Sequence, residues 1–305
     1  MPRFLIYVFV VFIVGFASAE SIRITADIPG DSAYADSVIN VTHQRLVSLL
    51  GAIPADSLHV YIVDTQERFD SLSGGYVPDW GAGVAIPLRR LIVIKSPLIM
   101  TGDKTLGELV AHEYTHIIVA RKTKYRPIPR WMNEGMAMYF STEWDWHDNM
   151  AVGMAVLFGY TVKLKDIEKL NRFTHNRAET AYAESYLAFD LFLDSYGNDG
   201  LQIFLENIAK RRKVNHCFVL ATGSDYLNFE KEFADFLYGR YNVLALIFNS
   251  NIIWLLLAFV IIIGFIINRV KRKSRMRELD EYDSLHSTDF DYGEVEKPDE
   301  DKPWD

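Results

Sequence analysis

From Ile252 to Ile267 the chain carries no charged side chain, and apolar residues already gather upstream from Val243. A soluble domain has little use for such a segment, and its total length suffices to cross a hydrocarbon core of about 30 Å. Asn249-Ser250-Asn251 interrupts it, which moves the start of the crossing nearer 250 and leaves 244–248 at the interface. Arg269, Lys271, Arg272, Lys273, Arg275 and Arg277 follow at once. A cationic cluster in that position reads as a stop-transfer flank on the cytoplasmic side. One transmembrane helix is therefore expected over 243–268, with the lipid bilayer as a partner.

The N-terminus implies the same orientation. Arg3 precedes an apolar run from Phe4 to Phe16, and Ala17-Ser18-Ala19 forms an A-x-A site. This is the layout of a secretory signal peptide over 1–19, cleaved before Glu20. An uncleaved anchor is the alternative, and it leaves the following domain on the same side. Residues 20–242 then form one extracytoplasmic domain, and 269–305 form a basic flank and cytoplasmic tail, a single-pass type I topology. The single Cys217 allows no internal disulfide, so the domain must rest on an ordinary apolar core. Such cysteine poverty suits the periplasmic face of a bacterial inner membrane.

The net charge of −8 belongs to the chain's end. Residues 278–305 hold 12 acids against Lys297 and Lys302, a net of −10, which leaves 30 Lys+Arg against 28 acids elsewhere. That tail is poor in aliphatics and reads as disordered and solubilising. The only basic run abuts the membrane, so no nucleic-acid partner is expected.

Within 20–242 the pattern is strand (Ile22–Thr25), helix (33–50), strand (Leu58–Val63) and strand (91–96), then mostly helix. Helices are expected at 151–162, 179–196, 200–211 and 229–238. The class is α+β: a small N-terminal mixed sheet, with the 91–96 strand at its edge, and a helical C-terminal half.

Between sheet and helices lies His112-Glu113-Tyr114-Thr115-His116. On a helix, the i and i+4 imidazoles leave one face and can grip one Zn²⁺ at about 2.0–2.1 Å. Glu113 beside them can take a proton from water at the metal. Thr105-Leu-Gly-Glu108 has the capping-box form, and Arg121-Lys122 suits the helix's C-terminal end. A catalytic zinc needs a third protein ligand. Val119 and Lys122 stand where an H-E-x-x-H-x-x-G-x-x-H motif would have Gly and His, so that pattern fails. Glu134, 18 positions after His116 on a helix that Pro129 can start, is the other candidate. Glu143, Asp145 and His147 lie just beyond, as a polar helix end or as a contact behind the ligands; the helix end is the favoured reading.

The segments Leu109-Val-Ala-His-Glu-Tyr-Thr-His116, Pro129-Arg-Trp131 and Asn133-Glu-Gly-Met-Ala137 resemble the gluzincin peptidases of the peptidase MA-like group. The likeness extends over about residues 55–240, including Trp80–Ala85 and Ala181–Tyr186. It implies a zincin-like fold with one Zn²⁺ per chain, held by His112, His116 and Glu134, and with Glu113 as general base. It also implies a Tyr or His donor to the oxyanion, for which Tyr182 and Tyr186 are the candidates and Tyr182 is preferred. Trp80–Gly83 would form a lip over the cleft. Relatives of the thermolysin kind carry an acid four residues after the ligand Glu to orient the first His; here that position is Met138. The partner of His112 must come from elsewhere, such as a backbone carbonyl. The expected activity is hydrolysis of peptide or protein substrates near the membrane surface. The competing readings are a non-catalytic scaffold of the same fold that binds peptides, and an accessory protein of envelope assembly.

Overall fold

The computed structural model describes residues 21–75, 77, 81–100, 104–241 and 252–285. The signal peptide, Trp80 of the expected lip and tail residues 286–305 lie outside the described residues. The chain divides into two compact units, Met1–Ala245 and Leu246–Asp305.

The first unit is mixed α+β and mostly helical. Strands β1 (Ile22–Ala26), β2 (Leu58–Val63), β3 (Gly83–Ile86) and β4 (Leu91–Lys95) form one sheet in the order β1-β2-β4-β3. β1, β2 and β4 run parallel, with Ile24 opposite Val60 and Val60 opposite Ile92. β3 returns antiparallel to β4, with Ala85 opposite Ile92. Helix α1 (Asp31–Leu50) makes the crossover from β1 to β2, and α2 (Gln66–Ser73) follows β2. On one face Val63, Leu91 and Val93 pack with Phe69 of α2. Val60, Ile62, Ile92 and Ile94 are buried on the other face, which α1 and the helix Leu106–Lys122 cover.

The edge of this sheet differs from the sequence expectation. The strand at 91–95 is interior, and the edge is β3. All five residues of β4 are buried, as suits an apolar run covered on both faces. β3 is short and glycine-led, so its sequence reads as a turn. Gly83, expected in a lip, is the first residue of that edge strand.

The helical half comprises α3 (Leu106–Lys122), α4 (Arg130–Ser141), α5 (Trp146–Phe158), α6 (His175–Ala209), α7 (Val214–Thr222) and α8 (Tyr226–Arg240). The capping box forms at α3: Glu108 N–H donates to Thr105 Oγ1 at 3.2 Å and Thr105 N–H donates to Glu108 Oε2 at 2.7 Å. Helical geometry breaks inside α6 at Gly197, at φ 65°, and so separates the two helices expected there. The short α2 and α7 were not expected.

Helix α4 is the hub. Trp131 is fully buried, stacks on Phe229 at 5.3 Å and donates from Nε1 to the Tyr226 hydroxyl at 3.1 Å. One turn on, Gly135 lies so close to α6 that a Cβ there would sit 2.2 Å from the Ser185 carbonyl oxygen. α4 is thus clamped between α8 and α6, and the residue before Gly135 is Glu134.

The second unit contains α9 (Ile252–Leu285). Its stretch Trp254–Arg277 is long and apolar enough to cross a membrane, and no part of its apolar window is buried within the protein.

Candidate metal centre

Helix α3 runs along the edge strand, and its motif residues open into a cleft of about 550 Å³ lined on one side by β3. His112, Glu113 and Glu134 are buried at 6%, 7% and 4% exposure. His112 and His116 project from successive turns with ring centroids 4.9 Å apart. Helix α4 brings Glu134 Oε2 to 3.6 Å from His112 Nε2 and 3.5 Å from His116 Nε2. Ligand atoms of the three residues all lie within 4.8 Å of one another.

Those distances suit a metal. Tetrahedral ligands at about 2.0–2.1 Å from a zinc ion stand roughly 3.4 Å apart, close to the two separations found. The electrostatics agree. Burial alone would disfavour a charged His112, but the charge of Glu143 and hydrogen bonding to Glu134 and Glu143 reverse this and raise its pKa. Burial would likewise raise Glu134, yet the two histidines and Arg130 hold it well below the usual carboxylate range. Two buried carboxylates, Glu134 and Glu143, thus stay ionised around the histidine pair, with charge that a cation could share. Two imidazoles and one carboxylate are the donor set of many catalytic zinc sites.

The structure supplies the His112 partner that the sequence leaves open. Glu143 Oε1 lies 2.8 Å from His112 Nδ1. A carboxylate only accepts, so Nδ1 donates in this bond, and Nε2, which faces Glu134, offers its lone pair to the centre once a cation displaces the proton it carries in the charged form. Glu143 is itself held ionised: burial opposes its charge, but His112 and Lys104 lower its pKa, and Lys104 Nζ pairs with Oε2 at 2.5 Å. The favoured sequence reading of Glu143 as a polar helix end is corrected. Thr142, left-handed at φ 61°, ends α4 and turns the chain, and Glu143 goes back under His112. The Nδ1 of His116, by contrast, is buried with no hydrogen-bond partner. Arg130 Nε donates to the other Glu134 oxygen at 3.0 Å, so Glu134 is also held from behind.

Glu113 sits against the edge strand. A Cβ on Gly83 would lie 2.9 Å from Glu113 Oε1, so glycine at that position lets the strand pass directly over the carboxylate. The two tyrosines separate. Tyr182 lines the cleft, with its ring 6.4 Å from that of His112, and burial and the Glu134 charge hold its phenol neutral. Tyr186 stacks on Trp144 at 4.5 Å and on Tyr139 at 6.4 Å and is not among the residues lining the cleft. One turn shares a helix face but advances along the axis by about 6 Å, enough to carry Tyr186 past the site.

A buried His-His-Glu cluster with a neighbouring glutamate at the floor of an open cleft is a site of the metallopeptidase type. The chain belongs to the peptidase MA superfamily, whose family model matches residues 39–239. No curated protein sequence matches it significantly.

Proposed function

We propose that the chain is a zinc-dependent peptidase of the gluzincin kind and zincin-like fold, anchored in a bacterial inner membrane by α9 with its cleft on the periplasmic side. The convergence of His112, His116 and Glu134 beside Glu113 carries this reading. These three residues would hold one zinc ion and leave a fourth position open. Zinc bound there would supply Lewis acidity, lowering the pKa of water towards 7 and drawing charge from the scissile carbonyl.

The chain's own residues do the rest. Glu113 accepts a proton from the attacking water and returns it to the leaving amine. Tyr182, neutral and lining the cleft, donates to the developing oxyanion. Glu143 fixes the tautomer of His112, and Arg130 fixes the carboxylate of Glu134. Among the described residues no strand pairs with the outer edge of β3, so an extended peptide can join the sheet there through main-chain hydrogen bonds. Because only residues 242–251 separate the domain from α9, peptide segments near the membrane surface are the expected substrates.

The test is cleavage of a peptide library by the full-length, zinc-loaded protein, read by mass spectrometry beside Glu113→Gln. Defined products from the wild type that Glu113→Gln does not form support the reading. A zinc-loaded wild type that cleaves nothing while binding peptides makes the chain a scaffold.

A further inference from the structure

The cleft's polar side chains fall into two groups. Most are committed. Besides Glu134, Arg130 binds Asn171 through Nη2 at 2.9 Å, and its backbone N–H donates to Glu168 at 2.9 Å. The Tyr125 hydroxyl donates to Asp56 at 3.0 Å, and the Thr123 hydroxyl to the Arg126 carbonyl at 2.9 Å. Two further lining residues, Arg126 and Asn133, have no side-chain partner among the described residues. Arg126 Nε is moreover buried without a hydrogen bond. A guanidinium is charged at every relevant pH and offers donors only. With no acceptor among the described residues, its side-chain donors are available to an acceptor that enters the cleft.

The backbone presents Arg126 firmly. Lys124 and Tyr125 are consecutive left-handed residues at φ 54° and 59°, a conformation that non-glycine residues keep only when their surroundings impose it. Tyr125 N–H bonds the Ala120 carbonyl at 2.6 Å, Arg126 N–H bonds the Thr123 carbonyl at 3.2 Å, and Pro127 follows. The turn joins the two ligand helices, and Asn133 sits on the first turns of α4, next to Glu134. Elsewhere the charged lining consists of Glu113, of Glu134 and Glu168, both bonded to Arg130, and of Arg130 itself. The uncommitted donors therefore add a separate cationic subsite to the cleft.

We propose that Arg126, assisted by Asn133, forms an anion subsite that binds a carboxylate of the peptide substrate. Two sources share that chemistry, the C-terminal carboxylate of a peptide and an acidic side chain near the scissile bond. The first makes the enzyme trim peptide ends, and the second makes it select acidic sequences. The inference rests on the cleft being a peptide site.

The experiment measures binding of fluorescent peptides to the full-length, zinc-loaded Glu113→Gln protein by anisotropy. One peptide sequence is used in four forms, with a free or amidated C-terminus and with Glu or Gln inside. A charge-assisted pair predicts that one carboxylate-bearing form binds about 10- to 100-fold more tightly than the form with neither. Which form gains identifies the source. Arg126→Gln erases the difference, and Arg126→Glu inverts it in favour of a Lys-containing peptide. Equal affinity across the four forms, or a preference that survives both substitutions, overturns the subsite. Selective binding without cleavage by the wild type keeps the subsite and removes the peptidase reading. Absence of binding by any form removes both.

Discussion

Gly135→Ala is the perturbation whose outcome the structure fixes most closely. In an isolated helix the change stabilises, because glycine costs about 1 kcal/mol relative to alanine. Here the new Cβ would lie 2.2 Å from the Ser185 carbonyl oxygen and 2.7 Å from Phe189 Cβ. The nearer obstacle is backbone, so no rotamer change relieves it. Helices α4 and α6 must part by on the order of 1 Å, and such overpacking costs about 1–3 kcal/mol, occasionally more. For a domain of this size that corresponds to a fall in Tm of roughly 2–12 °C. The same displacement moves Glu134 relative to His112 and His116, so zinc affinity falls with stability. Gly239→Ala in α8 is the control, a helix glycine that takes no part in the α4–α6 contact. It should be neutral or stabilising by up to about 1 kcal/mol. Thermal unfolding of the full-length protein with and without zinc, together with chelator competition, measures both effects. A Gly135→Ala protein as stable as the Gly239→Ala control, with unchanged zinc affinity, refutes the close α4–α6 contact and its role in placing the third ligand.

Two further outcomes follow from buried carboxylates. Glu143→Gln should weaken zinc binding about 10- to 100-fold, the usual effect of losing a carboxylate behind a histidine ligand; chelator competition measures it, and an affinity equal to that of Asp145→Asn would remove Glu143 from this role. Glu184 is buried on α6, where both of its oxygens accept from Val162 N–H, at 2.9 and 3.2 Å, yet burial holds its pKa at about 8 against an ordinary 4.5. The folded chain thus keeps a proton that the unfolded chain loses, and Glu184's contribution to stability declines as pH rises from about 4.5 to 8. Glu184→Gln should match the wild type below pH 4.5 and exceed it increasingly towards pH 8; a difference in Tm that does not vary with pH contradicts this.

What the sequence reveals depends on how local the determinant is. The α3 helix and its histidine pair are legible because the capping box and the two imidazoles lie within a dozen residues and refer only to helical geometry. Glu134 is legible through Pro129, Trp131 and Gly135, though the reason for glycine, a neighbouring backbone on α6, appears only in three dimensions. Glu143 is hidden by the left-handed turn at Thr142, which reverses the chain by means of a residue without a strong turn signature. The sheet edge is misjudged for a related reason. A strand buried on both faces and one at an edge can each be apolar, and the glycine of β3, a mark of turns, serves here to admit Glu113. Tyr182 and Tyr186 are equivalent by helical phase and differ only in how far along α6 they stand.

Bound metal tests the central claim most directly. Elemental analysis of the purified full-length protein, beside Glu134→Ala, should find about one zinc per chain in the wild type and loss or marked loosening of it in the variant. A folded wild type that contains no zinc and refuses added zinc would contradict the account.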